Sequence, residues 1–163
     1  LMEAVMLRIR AEREVTPGRA AISKAYYLKN PNSLCPKEVL TVSLNENSTN
    51  IPYTLGRLFA VYEEVQERAN PGINATIKDK YFNSAAAMPA SIFPVLNNLY
   101  QKHLRKLEGG QRVYYDKLDR KIAVLKDVLG EAYPTRLGLP EQGSFNLGYY
   151  HQKQFRYTKK EDK

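Results

Sequence analysis

Residues 50–72 read NIPYTLGRLFAVYEEVQERANPG. Asn50 is a cap residue, and Pro52 suits the first turn of a helix. Leu55, Leu58, Phe59, Tyr62 and Val65 then recur at the i, i+3, i+4, i+7 spacing of a buried helical stripe. Asn70-Pro71-Gly72 breaks the pattern. Helical punctuation of this kind repeats across the chain. Upstream, NENSTN at 45–50 is a loop signal, Pro36 can open a short helix, and Val39–Leu44 is the nearest approach to a strand pattern. Residues 2–13 carry no breaker and read as a helix. Thr16-Pro17 opens another, which runs to about Asn30 before Pro31 stops it. Downstream, Asn74 can cap a helix over 74–87 with Ile77, Tyr81 and Ala85 on one face. After Met88-Pro89 the next helix carries Ile92, Val95, Leu96, Leu99, His103, Leu104 and Leu107, with Pro94 near its start. Gly109-Gly110 ends it. A further helix places Tyr114, Leu118, Ile122, Leu125 and Leu129 on one face and stops at Gly130. A last one, from about Pro140, carries Phe145, Gly148, Tyr149, Gln152 and Phe155. The expectation is an all-α fold, a compact bundle of about five to seven helices with short connections. It forms one domain over 1–163: a leading helix at 1–15, the bundle core at 16–158 and a frayed tail at 159–163.

The length of 163 residues suits one domain. A chain of this size hides about 70% of its unfolded surface. A hydrophobic content of 43% excludes a wholly disordered chain, and no apolar run approaches the ~20 residues of a membrane helix. The single Cys35 cannot close an internal disulfide, and LMEAVMLRIR lacks the features of a secretory signal, so the expected compartment is the cytoplasm. Residue 1 is Leu, which reads as a cut fragment or a product with an unusual start. The 25 Lys and Arg against 17 Asp and Glu give a net charge of +8, which points to an anionic partner, nucleic acid above all; a basic surface kept for solubility is the plainer reading. The excess is concentrated in residues 101–163, with 14 basic and 8 acidic residues.

Motifs for chemistry are missing. The sequence has no phosphate loop, no GxGxxG, no HExxH, no zinc-spaced Cys/His group, no Glu-x-x-His pair and no GxSxG elbow. No enzyme activity, cofactor or metal is expected. Glu63, Glu64 and Glu67 form an acidic cluster that reads as a solvated helix face or, less simply, a metal site. His103, between Leu99 and Leu107, reads as a hydrogen-bonded residue at the edge of the core. Three groups of polar and basic residues can hold phosphates without reading bases. They are Lys78, Lys80, Asn83 and Ser84; Lys102, Arg105 and Lys106, which equally complement a helix dipole; and His151, Lys153, Gln154 and Arg156, where surface exposure explains His151 as well. Tyrosine is abundant, with 12 Tyr beside 5 Phe and no Trp. In the doublets Tyr26-Tyr27, Tyr114-Tyr115 and Tyr149-Tyr150 one ring can enter the core while its neighbour sits on the rim. A rim Tyr can stack on an unpaired base, pack at the core's edge or face a protein.

Five segments together resemble the C-terminal region of the type I-C CRISPR large subunit, the Csd family. They are AISKAYYLKN at 21–30, KEVLTVSLNENSTN at 37–50, LGRLFAVYEEVQ at 55–66, NPGINATIKDKYFNSAAAMPASIFPVL at 70–96 and LGYYHQKQ at 147–154. In that family the same region is also made separately, from an internal start, as the small subunit of the Cascade surveillance complex. A chain beginning near Met2 or Met6 looks like that product, or equally like an excised C-terminal domain. The resemblance implies a non-catalytic helical bundle acting in antiviral defence. Its partners would be the backbone and large subunits, a second copy of itself, the target and non-target DNA strands and, indirectly, crRNA, with no membrane. It would pack along the belly of the complex and stabilise the R-loop by sequence-independent contacts, since base pairing reads sequence there. The alternative is a purely structural assembly subunit. Of the basic groups, only Lys78, Lys80, Asn83, Ser84, His151, Lys153 and Gln154 lie in matched segments; Lys102, Arg105, Lys106 and Arg156 rest on charge clustering alone.

Overall fold

The computed structural model describes Ala25 and residues 43–158. The expectations for the leading helix, the helix ending at Asn30, Tyr26-Tyr27, Cys35 and the tail lie outside these residues. Among the described residues five helices follow one another: α1 (Ile51–Ala69), α2 (Ile77–Ala87), α3 (Pro89–Glu108), α4 (Arg112–Leu129) and α5 (Leu139–Thr158). There is no strand among the described residues. The all-α expectation holds.

The Asn50 side chain caps α1 by accepting the Tyr53 N–H at 3.0 Å, which satisfies one of the otherwise orphaned donors of the first turn. The helix ends at Asn70, and Gly72 beyond it takes a φ of +79° that a side chain would resist. The start of α2 differs from expectation. Thr76, not Asn74, precedes the helix, and the Asp79 carboxylate accepts the Thr76 N–H at 2.8 Å. The connection from α4 to α5 turns at Gly130, with φ +71°. It is stapled to the α2–α3 junction by Ala90 N–H donating to the Pro134 carbonyl at 3.0 Å and Leu137 N–H donating to the Ala87 carbonyl at 3.0 Å.

Every residue of α1 from Tyr53 to Gln66 is buried, because α2, α3, α4 and α5 all pack against it. The stripe read from the sequence is therefore only one side of an enclosed helix. Toward α2 and α5, Phe59 meets Phe82, Phe145 and Tyr149 at 5.4, 5.9 and 5.9 Å between ring centroids, all edge-on. Such pairs contribute about 0.5–1.5 kcal/mol each beyond the area they bury. Toward α3, Tyr62 stacks on Tyr100 at 4.4 Å with 7° between planes. Lys126 from α4 lies 4.6 Å above Tyr100 and donates to its hydroxyl at 2.9 Å.

The α1–α5 crossing is set by two glycines. A Cβ on Gly56 would overlap the Phe145 carbonyl, and one on Gly148 would overlap the Tyr53 carbonyl. The helices thus touch backbone to backbone.

Two expected core positions move outward. Val95 is exposed, with Phe93 and Leu96 filling the core instead. In the 114–115 doublet Tyr114 is the rim residue, while Tyr115 packs against the core.

Candidate nucleic-acid interface

The C-terminal half of α1 presents three carboxylates, and each finds a cation. Glu63, only 3% exposed, accepts hydrogen bonds from the Tyr149 hydroxyl at 2.5 Å, Lys153 Nζ at 3.1 Å and the Thr76 hydroxyl at 3.2 Å. Glu64 accepts from Arg68 Nε at 3.0 Å and faces Arg156 Nε at 3.6 Å. Glu67 accepts from Arg156 Nη1 at 2.5 Å. A charge taken out of water is tolerable only when paired and hydrogen-bonded, and here the pairing is complete. The expectation of a solvated or metal-binding acidic face is thereby corrected: this is an internal charge clasp between α1 and α5. Among the described residues no group of three or more His, Cys, Asp or Glu is placed to hold a metal. Burial, and then the Glu63 charge beside it, push the Tyr149 hydroxyl far above its ordinary titration range, so it remains a donor. Burial alone would lower Arg156, but the bond to Glu67 and the charges of Glu64 and Glu67 outweigh it and raise its pKa.

The clasp changes the reading of the last basic group. Lys153 and Arg156 are half-buried and serve carboxylates of the same chain. His151 is not on the surface: it is 2% exposed, its Nδ1 lies 2.9 Å from the Tyr53 hydroxyl, and the two rings meet edge-on. Its neighbour Gln152 accepts from Arg57 Nε at 3.2 Å. Arg57, 6% exposed, also donates to the carbonyls of Asn45 and Glu46 at 3.1 and 2.9 Å, which ties the preceding loop to the bundle. Burial lowers the Arg57 pKa. Only Gln154 of that group is exposed.

The other two groups remain on or near the surface. On α2, Lys80 and Asn83 are exposed and Ser84 is half-buried. Lys78 is half-buried and turns toward the Tyr149 ring, 5.9 Å away, which Lys153 approaches from 5.5 Å. On α3, Lys102, Arg105 and Lys106 are exposed in the last two turns. Lys80, Lys102 and Arg105 take part in no salt bridge among the described residues.

What the sequence did not reveal is how the α3 cations meet the end of α1. Lys106 Nζ donates to Asn70 Oδ1 at 2.8 Å, and Asn70 Nδ2 lies 3.2 Å from the Gln66 carbonyl and 3.0 Å from His103 Nδ1. Lysine can only donate and a carbonyl can only accept, so the amide orientation is fixed and His103 Nδ1 must accept. Burial, and then Lys106, lower the His103 pKa, as suits a ring whose Nδ1 lone pair is in use. His103 is thus the hydrogen-bonded edge residue that its spacing suggested. Two residues before Asn70, the Arg68 guanidinium lies 4.0 Å over the Tyr114 ring. The end of α1 therefore gathers Arg68, Asn70, His103, Lys106 and Tyr114 into one polar, cationic and aromatic rim. The i, i+4 spacing of Glu64 and Arg68 was the local signal for the Arg68 part of it.

A compact helical bundle is what the CRISPR resemblance implied, and the described residues form one. The family model of the CRISPR-associated protein (Cas_Csd1) matches residues 1–157. The chain belongs to that family. No curated protein matches it. Membership of this CRISPR-associated family makes a role within CRISPR-associated complexes the frame for the rim. Among the described residues no helix is long and apolar enough to cross a membrane.

Proposed function

We propose that this Csd1-family chain is a non-catalytic, cytoplasmic subunit of a type I-C crRNA-guided surveillance complex, and that it steadies the R-loop through sequence-independent contacts to DNA. The observation that carries this reading is the division of charge. The carboxylates of α1 are neutralised inside the fold by Arg68, Lys153 and Arg156, while Lys80, Lys102 and Arg105 stay exposed and enter no salt bridge among the described residues. Cations spared in this way are available to phosphates, which bind by charge and carry no base information. Lys106 stands beside them, held by Asn70. Lys78, Asn83 and Ser84 share α2 with Lys80, and Gln154 is exposed on α5, whereas His151, Lys153 and Arg156 act in the fold.

Salt titration tests the reading. Log affinity for single-stranded DNA should fall linearly with log salt, by about 0.7 per phosphate neutralised. In the assembled complex, Lys80→Glu with Lys102→Glu and Arg105→Glu should weaken R-loop formation. A flat salt response together with full R-loop formation in that variant would reject it.

A second reading has its own support. Val113 and Val124, 80% and 63% exposed, stand on the outer face of α4, and exposed apolar side chains suit a protein neighbour. On this reading the chain is an assembly subunit that meets neighbouring Cascade proteins and touches little DNA. Val124→Asp would then impair assembly while the cation variants would not.

A further inference from the structure

The rim at the end of α1 holds a second kind of group beside its cations. Tyr114 is 41% exposed although its neighbour Tyr115 packs on the core. One face of its ring is covered by the Arg68 guanidinium at 4.0 Å. Arg68 is itself fixed by Glu64 at 3.0 Å, and Glu64 also faces Arg156 at 3.6 Å. The ring is thus held from below by a chain of charges reaching into the fold. A side chain already ordered gives up little freedom on binding. Asn70, two residues past Arg68, receives Lys106 at 2.8 Å, which brings the α3 cations to the same end of the bundle.

From this arrangement we infer that Tyr114 is a stacking platform for one unpaired base, the phosphates of that strand running over Lys102, Arg105 and Lys106. The inference rests on the nucleic-acid reading above and narrows it: a base offers its π-face to a protein ring only when it is out of a duplex, so the partner is single-stranded. Stacking of this type tolerates any base, in keeping with binding that reads no sequence. The guanidinium beneath the ring completes an arginine–tyrosine–base sandwich.

The test uses the full chain and a single-stranded oligonucleotide carrying 2-aminopurine, whose fluorescence is quenched on stacking. Wild type should bind with a steep salt response and quench the probe. Tyr114→Ala should lose about fivefold or more in affinity, lose the quenching, keep the salt slope and prefer single strand over duplex less. Tyr114→Phe, which keeps the ring, should retain most of the affinity and the quenching. A thermal melt confirms that the variants are folded. Wild-type binding with a steep salt slope but undiminished affinity in Tyr114→Ala overturns the platform and leaves the phosphate reading standing. Equal losses in the Ala and Phe variants overturn it too, because the hydroxyl and not the ring would then matter. No binding by wild type at low salt overturns both.

Discussion

Replacing Gly148 with Ala adds one methyl group at the α1–α5 crossing. Three effects decide the outcome. Helix propensity favours Ala by about 0.8–1.0 kcal/mol at an interior position. Against it, the new Cβ would overlap the Tyr53 carbonyl oxygen and lie 2.8 Å from the carbonyl carbon. Carbon–carbon contacts settle at about 3.5–4.0 Å, so the helices must part by about 1 Å. No side-chain rotation relieves this, because the obstacle is backbone. A gap of that size forfeits about a quarter to a half of each dispersion contact it opens, and this interface holds the fully buried Tyr53, Phe59, Phe145 and Tyr149. Overpacking commonly costs about 1–3 kcal/mol, occasionally more. A backbone target places this site at the upper end, for a net loss of about 2 kcal/mol after the propensity gain. At about 2–4 °C per kcal/mol for a chain of this size, the midpoint falls by about 4–8 °C. Urea unfolding and thermal melts of the wild type, Gly56→Ala, Gly148→Ala and the double variant measure it. The two substitutions share one relief, since helices already parted accept the second methyl at less cost. The double variant should therefore lose less than the sum of the single losses. Stability equal to or above that of wild type in Gly148→Ala would show that the crossing is not held by the glycines.

Three further outcomes follow from the same geometry. Lys153→Glu with Arg156→Glu should destabilise the fold by about 3 kcal/mol or more, because it sets carboxylates against Glu63 and Glu67 in the clasp; an unchanged melting curve would refute the clasp. Lys102→Glu with Arg105→Glu, by contrast, should leave the melt unchanged and weaken binding to single-stranded DNA, which a filter or anisotropy assay reads directly. His103 has a folded-state pKa below its ordinary 6.5, so the unfolded chain takes up the proton more readily. Its contribution is fully present above that value and is lost as pH falls from it through the lower folded-state value. Between about pH 7.5 and pH 5 the wild type should therefore lose more stability than His103→Gln, and parallel losses would refute the assignment.

The fold was largely legible, because caps, glycine stops and spaced apolar residues act locally. Asn50, Gly130 and the series Leu118, Ile122, Leu125 and Leu129 did what their positions suggested. The site was less so. Whether Glu63 faces water or a lysine depends on a residue 90 positions away, and whether Arg156 is spare depends on one 89 away. Charge counting sees three acids and a basic tail but not that they cancel. The burial of His151 has the same origin: its partner Tyr53 comes from the far side of the sequence. The 114–115 and 149–150 doublets did forecast one ring deeper than the other, yet the helical stripe put Tyr114 inside where the structure puts Tyr115.

The enclosure of α1 also bears on how the protein is made. α1 leaves the ribosome well before the residues that neutralise it, since Tyr149 stands 86 positions after Glu63. During translation, at about 5–20 residues per second, a nascent chain carries an acidic, aromatic segment whose seal has not yet been synthesised. α5 closes α1 only once it has emerged, so termination between the two yields a polypeptide with an open seam, suited to capture by chaperones or proteases.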